Sequence, residues 1–416
     1  MRVSRKLGLL LLAASLWMLQ LGCGDEYRPV ANPIVTPGGQ PQNDHFAWVV
    51  NFNPNGQGTT TEIDVSGDSN LAVNSFGLGT ITEAFPPNSL ALFVASRDND
   101  TASEYLPTLS GPITTITLLP GSRPVYLNSA QSGMMFVVNS GANSACPTTG
   151  SVSTIPLATL AVSNTVCVGM NPTLMAQSSV NFYIFVLNQG DGTVSVINNG
   201  AVVGLVTPQS GLGQNPSNVV ASSDGNYMFI VTQGDGVNPG TLDILPAGSA
   251  TVAATVPLGV RPTFALADPV LNRLYVANSG DNTVSVFDTS NLNLSGTPPL
   301  PLLATVPVGT NPIAVTALAD GSRFYVANAG SDDVTVVSAN SFSPLTTVPL
   351  PSGANPVFIA SDPTSSKVYV ADPGTSQTTI IQTSNNAVAQ NLAAPPQNPS
   401  CTSSCVLQQP VMIVAR

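Results

Sequence analysis

The stretch "LYVANSGDNTVSVFDTSN" at residues 274–291 returns as "FYVANAGSDDVTVVSANS" at residues 324–341. In both copies, β-branched and aromatic residues flank a cluster of Gly, Asn, Ser and Asp, which predicts two short strands joined by a tight turn. The first of these strands has six further copies, 43 to 50 residues apart. The eight copies begin at Trp48, Phe93, Phe136, Phe185, Phe229, Tyr275, Tyr325 and Tyr369. The spacing predicts a structural repeat of about 45 residues.

A second phrase, Gly-x-Asn/Arg-Pro, keeps the same spacing and precedes a short apolar strand each time. Proline is tolerated as the first residue of a strand, and glycine supplies the turn before it. The third residue of the phrase is Arg123, Asn171, Asn215, Arg261, Asn311 or Asn355. One repeat therefore holds four antiparallel strands, which predicts an all-β chain in which each repeat is one blade of a β-propeller.

The repeat resembles the YVTN-type β-propeller repeat, which is found in exported and surface-layer proteins of bacteria and archaea. The two quoted stretches match it best, and weaker copies extend the resemblance over residues 45–416. The resemblance implies a fold more strongly than a function. Because lactone-hydrolysing propellers share the repeat, it also implies a lactonase-like hydrolase as an alternative.

Eight strand copies favour eight blades, with seven as the alternative because the repeat near Phe93 lacks the Asn/Arg-Pro pair. The chain ends in "QPVMIVAR" (residues 409–416), a Pro-led first strand with nothing after it. Residues 45–51, "HFAWVVN", read as a second strand with nothing before it. We expect the two to join in one blade, because closing the ring removes open sheet edges. Residues 45–416 would then form a single β-propeller domain.

The N-terminus predicts export. Residues 1–23 combine a basic start, an apolar stretch and a small residue before Cys23, which is typical of a signal peptide with a lipobox-like end. We expect lipidation of Cys23 and attachment to the bacterial outer membrane or cell surface. The alternative is a soluble periplasmic protein cleaved near Gly22. Residues 24–44 are rich in Pro and Gly and read as a flexible tether.

Four cysteines remain after Cys23, an even number that favours disulfides in an oxidising compartment. Cys401 and Cys405 are close enough in sequence to pair, which leaves Cys146 for Cys167. The spacing in "CTSSC" does not suit zinc, and the only histidine is His45. We therefore predict two disulfides and no metal site.

Charge narrows the class of partner. The formal net charge is −11, only 8% of residues are charged, and no basic run is present. Since nucleic-acid binding needs clustered Lys and Arg, we expect no nucleic acid as a partner. Small uncharged residues suit sheets that are buried on both faces.

Acidic residues recur in the turn after the "YVAN" strand, where Asp beside Gly is ordinary hairpin chemistry. They are Asp191, Asp235, Asp281, Asp332 and Asp333. We expect the Gly-x-Asn/Arg-Pro turns to lie on the same rim, near the mouth of the central channel. Two interpretations follow: each Asn caps its own turn, or the six residues form a polar funnel for an anionic or polar ligand. In the second case Arg123 and Arg261 are the strongest candidates.

The sequence contains no Ser-His-Asp pattern and predicts no catalytic residues and no cofactor. It favours a monomeric, envelope-anchored binding or scaffolding module, not an enzyme, for a protein or a small polar ligand. Membrane contact would be through the lipid anchor only. The alternatives are the lactonase-like hydrolase and an envelope sensor or assembly component.

Overall fold

The computed structural model describes residues 46–64, 69–84, 91–105, 112–129, 133–398, 400–401 and 405–415. Within them the chain forms eight four-stranded antiparallel sheets, and its only helical elements are two single 3₁₀ turns. The predicted β-propeller with eight blades is confirmed. The predicted signal peptide (1–23), the tether (24–44), Cys23 and His45 lie outside the described residues.

The strands of the first half of the chain are β1 (Phe46–Phe52), β2 (Gln57–Asp64), β3 (Ser69–Leu78), β4 (Thr80–Ala84), β5 (Leu92–Ser96), β6 (Thr101–Tyr105), β7 (Thr114–Thr117), β8 (Pro124–Ser129), β9 (Met134–Asn139), β10 (Ser151–Pro156), β11 (Asn164–Cys167), β12 (Pro172–Gln177), β13 (Ile184–Asn188), β14 (Thr193–Asn198), β15 (Ala201–Val206) and β16 (Pro216–Ala221). The strands of the second half are β17 (Tyr227–Thr232), β18 (Pro239–Pro246), β19 (Ala254–Val260), β20 (Pro262–Asp268), β21 (Arg273–Asn278), β22 (Thr283–Asp288), β23 (Leu302–Pro307), β24 (Pro312–Ala317), β25 (Arg323–Asn328), β26 (Asp333–Ser338), β27 (Pro344–Pro349), β28 (Phe358–Ser361), β29 (Lys367–Asp372), β30 (Gln377–Gln382), β31 (Ala387–Ala393) and β32 (Gln409–Ala415).

Blade 1 combines β32 with β1, β2 and β3, and each later blade takes the next four strands, from β4–β7 in blade 2 to β28–β31 in blade 8. The first strand of every blade contacts the first strands of both neighbours, so these eight strands line the central axis. In blade 1 the first strand is β32. The degenerate repeat near Phe93 forms a complete blade 2.

The propeller has two rims. The upper rim carries the hairpin turns between second and third strands, together with the leading turns, which are the Gly-x-Asn/Arg-Pro turns that enter first strands. The lower rim carries the connections between first and second strands and between third and fourth strands. The strand β1 starts at Phe46 on the lower rim, because its far end runs into the upper-rim hairpin turn at residues 53–56.

Each sheet is buried on both faces because successive side chains of a strand point to opposite sides. In β21, Leu274 and Val276 pack against blade 5, whereas Tyr275 and Ala277 pack against blade 7. All four side chains are completely buried. A charged residue in such a strand would have to leave water for an apolar interface, which explains why so few are present.

Long side chains on the lower rim link neighbouring blades. One guanidinium nitrogen of Arg323 in blade 7 donates to the Thr383 carbonyl and to Asn386 Oδ1 of blade 8, both at 2.7 Å. Arg273 in blade 6 lies over the ring of Phe342 in blade 7, 4.8 Å from its centroid.

The predicted closure is also present. The strand β32 pairs with β1 in antiparallel register, with Ile413 opposite Val49 and Val414 opposite Trp48. Ile413 and Ala415 are fully buried in a cluster that extends to Tyr369 of blade 8. The closure therefore adds backbone hydrogen bonds within blade 1 and apolar contacts between blade 1 and blade 8.

Both predicted disulfides are formed. Cys146–Cys167 joins the long upper-rim loop between β9 and β10 to the end of β11, with Cα atoms 5.4 Å apart. Cys401–Cys405 lies in the connection that leads to β32. The described part of the chain has no helix that is long and apolar enough to cross a membrane.

Shortening Ile413 should weaken the closure. We expect Ile413→Ala to lower the free energy of unfolding by about 2–5 kcal/mol, since it leaves a cavity between blades 1 and 8. Chemical denaturation measures the loss. Gln409→Ala, at an exposed position of the same strand, is the control and should stay within about 0.5 kcal/mol of the parent. Equal stability of Ile413→Ala and the parent would contradict this role of β32.

The two disulfides should differ in effect. Replacing Cys146 and Cys167 by Ala should lower the free energy of unfolding by about 3 kcal/mol, because the entropy that a disulfide removes from the unfolded chain grows with the length of the closed loop. Replacing Cys401 and Cys405, which close a much shorter loop, should lower it by about 2 kcal/mol. Denaturant midpoints of the two double variants provide the comparison. A larger loss for the 401–405 pair would be inconsistent with this ranking.

Candidate functional site

The leading turns of blades 3 to 8 share one unusual backbone conformation. The third residue of each has a positive φ, between 46° and 54°, which is the left-handed region. These residues are Arg123, Asn171, Asn215, Arg261, Asn311 and Asn355. Asparagine adopts this region more readily than most residues, which explains its recurrence. Arginine has no such preference, so the conformation alone does not account for Arg123 and Arg261.

The hairpin turns hold the leading turns in place. In blades 4 and 6, Asp191 Oδ2 and Asp281 Oδ2 accept the backbone N–H of the residue before the Asn or Arg of the same blade's leading turn, at 2.8 and 2.5 Å. In blade 7 the hydroxyl of Ser331 takes this place and accepts the Thr310 N–H at 3.0 Å. These side chains fix each leading turn to its own blade.

The next residue of the hairpin turn reaches the following blade. Asp332 accepts the N–H groups of Gly353 and Asn355 in the leading turn of blade 8, at 2.7 and 2.8 Å. Asp100 in blade 2 holds the turn of Arg123 in the same manner, and Asn282 accepts the Asn311 N–H at 2.9 Å. Each hairpin turn of this type therefore ties two blades together.

The expectation that the recurring acids serve the turns is confirmed for four of the five. Asp191, Asp281 and Asp332 accept the bonds above, and Asp235 accepts the N–H groups of Val237 and Asn238 within its own loop. Asp333 differs because it is the first residue of β26.

Beneath the rim, five blades have a buried asparagine at the end of the second strand or, in blade 1, one residue before the end. Its Nδ2 atom donates to two side-chain oxygens of the third strand; in blade 6 these are Thr283 Oγ1 and Ser285 Oγ, at 3.1 and 3.0 Å from Asn278. We call this arrangement the Asn bracket. Its asparagines are Asn51, Asn139, Asn188, Asn278 and Asn328. The sequence shows the residue as the Asn of "YVAN", but its partners depend on strand register and were not predicted.

The bracket also explains a glycine in the leading turn. A Cβ on Gly259 would lie 2.7 Å from the side chain of Asn278 and closer still to Asp281 Oδ2. The glycine N–H instead donates to Asn278 Oδ1 at 3.2 Å. The strand end, the hairpin turn and the leading turn thus form one packed unit.

Two blades replace the bracket amide by a carboxyl. In blade 5 the second strand ends in Thr232, and Asp243 on the third strand accepts the Gly213 N–H at 2.7 Å. Burial raises the pKa of the Asp243 carboxyl despite hydrogen bonds from Gly213, Thr255 and Thr241.

In blade 8, Asp372 stands at the bracket position and is fully buried. It accepts a hydrogen bond from the Thr379 hydroxyl at 2.5 Å. Burial, aided by the negative charge of Asp332 and opposed by the Thr379 bonds, raises the pKa of Asp372 from its ordinary 3.8 to about 7.

The six predicted site residues are thus gathered on one rim with their backbone fixed. Five are exposed and Asn311 is half-buried. Asn215 Nδ2 donates to the Gly234 carbonyl at 2.7 Å, whereas Arg123 lies 3.9 Å from the Asp98 carboxylate and remains 58% exposed. Exposed apolar side chains lie on the same rim at Met170, Val237 and Val406. Sequence reasoning missed these three, since an isolated Met or Val in a turn carries no signal.

Among the residues that the structure describes, no three His, Cys, Asp or Glu side chains are grouped closely enough to hold a metal ion.

No protein-family model matches the sequence, and no curated protein sequence matches it. Solved structures do match. Dihydro-heme d1 dehydrogenase NirN aligns with 94% of this chain and 79% of its own, at 12% identity and a TM-score of 0.67. AztD from Citrobacter koseri aligns over 89% and 97%, at 13% identity and a TM-score of 0.58. The β-propeller domain of Myceliophteria thermophila Cps50 (Swd1) aligns over 73% and 96%, at 14% identity and a TM-score of 0.55. At these identities the likeness shows the propeller fold alone.

Asp372 should give the protein a pH-dependent stability. Because its pKa is raised to about 7, the folded state holds a proton between about pH 4 and 7 that the unfolded state has released. The contribution of Asp372 to the free energy of unfolding therefore falls as pH rises from about 4 to 7 and is constant above pH 7. Asp372→Asn restores the amide of the other blades and should stabilise the protein at pH 8 by about 1–4 kcal/mol.

Denaturation of parent and Asp372→Asn at pH 5 and pH 8 tests this. The difference between them should be larger at pH 8. Asp224→Asn, at an exposed lower-rim residue, is the control. A constant difference between Asp372→Asn and the parent would refute the assignment.

Proposed function

We propose that this protein is a cell-envelope-anchored β-propeller of the YVTN type whose upper rim binds a protein or a small polar ligand. The observation that carries the proposal is the ring of six left-handed turn residues described above. Their turns are held by hydrogen bonds from the same blade, from the preceding blade or, in the case of Asn311, from both. Their side chains therefore project from a surface that is already ordered. Binding to such a surface costs little conformational entropy, which favours affinity.

Arg123 and Arg261 give the rim its specificity in this proposal. The acids around them already have partners. Asp98 is paired with Arg97, Asp100 accepts the Gly121 and Arg123 N–H groups, and Asp281 accepts the Val260 N–H. Guanidinium groups bind carboxylates and phosphates in a planar, two-pronged geometry. We therefore expect a ligand that offers an anionic group to these turns, with Asn amides beside it as neutral partners.

A binding role is favoured over the hydrolase alternative because the acids of the rim already have hydrogen-bond partners. Hydrolysis needs an acid or base that can exchange a proton with substrate at the mouth of the channel. Both carboxylate oxygens of Asp332 accept hydrogen bonds from backbone N–H groups of blade 8. Asp372, whose pKa is suitable, is buried beneath the turns.

Export and anchoring through Cys23 complete the proposal. The two disulfides support export, because such bonds persist in oxidising compartments. Attachment to the outer membrane or the cell surface would follow from lipidation at Cys23, and the alternative remains a soluble periplasmic protein.

Cys23→Ala should move the protein from the membrane fraction to the soluble fraction of the cell, since it removes the site of lipidation. Fractionation followed by immunoblotting measures the distribution. The Cys401→Ala/Cys405→Ala variant controls for loss of a cysteine elsewhere and should stay with the membranes. A Cys23→Ala chain that remains membrane-bound would refute lipid anchoring.

Arg123→Asn and Arg261→Asn test the rim. Asparagine occupies the same left-handed position in four other leading turns, so both variants should fold as the parent does. We expect the double variant to lose at least tenfold in affinity for the ligand captured from envelope extracts, by analogy with the loss of a charged hydrogen bond. Thr346→Ala on the exposed outer strand β27 is the control. Undiminished capture by the double variant would exclude these arginines from the binding surface.

A further inference from the structure

Two ties fix the leading turn of blade 8. From blade 7, Asp332 accepts the N–H groups of Gly353 and Asn355 at 2.7 and 2.8 Å. From the hairpin turn of blade 8 itself, the Gly374 N–H donates to the Ala354 carbonyl at 3.0 Å. The site residue Asn355 therefore depends on a carboxylate of the neighbouring blade for its position.

Blade 3 repeats this arrangement. Asp100 of blade 2 accepts the N–H groups of Gly121 and Arg123 at 2.7 and 2.6 Å. The Gly141 N–H donates to the Ser122 carbonyl at 2.8 Å. The two blades differ at the bracket position beneath the turn, where blade 3 has an amide and blade 8 has a carboxyl.

That carboxyl, on Asp372, lies on the side of blade 7. It shares a face of β29 with Val370, which packs in the apolar cluster between blades 7 and 8. Burial, together with the negative charge of Asp332, raises the pKa of Asp372 to about 7. The group that titrates and the carboxylate that holds the leading turn are therefore neighbours.

The hydrogen bonds around Asp372 indicate a neutral carboxyl in the folded protein. The Thr379 hydroxyl lies 2.5 Å from Asp372 Oδ2 and 2.8 Å from Asn391 Oδ1, yet it has only one proton to donate. A protonated Asp372 donates to Thr379, and Thr379 then donates to Asn391. This repeats the bracket of the other blades, in which an amide donates to the third strand.

Loss of the proton reverses this chain of hydrogen bonds. The Thr379 hydroxyl must then donate to the carboxylate, and Asn391 must turn its amide so that Nδ2 donates to Thr379. Asn391 is exposed on the outer strand β31, so its amide can turn and the proton can leave to solvent. Asp372 and Thr379 are both fully buried, so the charge itself stays inside the protein.

No cation in the described part of blades 7 and 8 is placed to offset that charge. The strands β24, β27, β28, β30, β31 and β32 and the two turns of blade 8 contain no ionisable residue. Asp333 accepts a hydrogen bond from Asn328 within its own blade. The other ionisable residues of β25 and β29 lie toward the lower rim or on the face of β29 toward blade 1: Arg323, Tyr325, Lys367 and Tyr369.

We propose that loss of the Asp372 proton releases the leading turn of blade 8, so that this part of the upper rim responds to pH. With Asp372 neutral, Asp332 holds Gly353 and Asn355. With Asp372 charged, the two carboxylates repel each other at a buried interface, where screening is weak. The half-buried Asp332 then turns toward solvent, and only the bond from Gly374 still holds the leading turn. The effect on ligand capture rests on the proposed function, whereas the release of the turn does not.

Residue-resolved hydrogen exchange of the free protein tests the release. Each exchange rate is divided by the rate of an unstructured peptide at the same pH, which gives a protection factor. Between pH 5 and pH 8, the protection of Gly353 and Asn355 should fall by about tenfold or more, because their bonds to a charged acceptor are lost. Gly374 keeps its partner and should keep its protection.

Blade 3 is the matched control in the same sample. Its leading turn has the same two ties, but Asn139 at the bracket position does not ionise. Gly121 and Arg123 should therefore keep their protection from pH 5 to pH 8. This control also removes any effect of pH on the opening of the whole propeller.

Three variants sharpen the test. Asp372→Asn should abolish the pH dependence at residues 353 and 355, and Asn139→Asp should create one at residues 121 and 123. The ¹³Cγ chemical shift of Asp372 should titrate at the same midpoint as the protection of the turn. Thr379→Val removes a donor to the carboxylate and should raise this midpoint by about one pH unit.

Constant protection at Gly353 and Asn355 while the Asp372 chemical shift titrates would show that the carboxyl and the turn are not coupled. An Asp372 that does not titrate between pH 5 and pH 8, or an equal loss of protection in blades 3 and 8, would also overturn the proposal. Failure of the binding surface is distinguishable. In that case, the Arg123→Asn/Arg261→Asn variant captures its ligand as the parent does, and the exchange result is unaffected.

Discussion

In five of the eight blades, the hydrogen bonds of the Asn bracket are the constraint on which the upper end of the blade depends. An amide that ends a buried strand must find partners, because an unpaired polar group there costs about 1–3 kcal/mol. In blade 6 it finds two hydroxyls of the next strand and a backbone N–H of the leading turn. One side chain thereby sets the register of two strands and the position of the turn that enters the blade.

Above the Asn bracket, the hairpin turns hold the leading turns. Asp281 and Asn282 in the hairpin turn hold the leading turns of blades 6 and 7, so adjacent blades share one hydrogen-bond network above their apolar interface. The turn residues can then take the left-handed conformation with exposed side chains. The acids that recur in the sequence are therefore components of the scaffold, while the side chains of Arg123 and Arg261 remain exposed on the rim.

The periodicity of the sequence was sufficient to predict the architecture. The "YVAN" copies and the Pro-led strands predicted the blades, because each is a local pattern repeated at a fixed spacing. The two chain ends predicted the closure, and the even number of cysteines predicted both disulfides. The candidate site was harder to predict from the sequence. Its six residues could be grouped on one rim, but blade 5 moves the carboxyl to Asp243 on a neighbouring strand, and the partners of Asp372 depend on pairing across the sheet.

The pairing of β1 with β32 has a consequence for how the chain acquires its structure. Blade 1 is incomplete until β32 pairs with β1, whereas blades 2 to 8 are each made of consecutive strands. In a partly folded chain, blades 2 to 8 can therefore form an arc while β1 still lacks its inner partner and β28 lacks its neighbour on the axis. The final step joins segments separated by nearly the whole domain, and contacts of that separation form slowly. Until that step, the arc exposes the unpaired edge of β1, which can pair with strands of other chains.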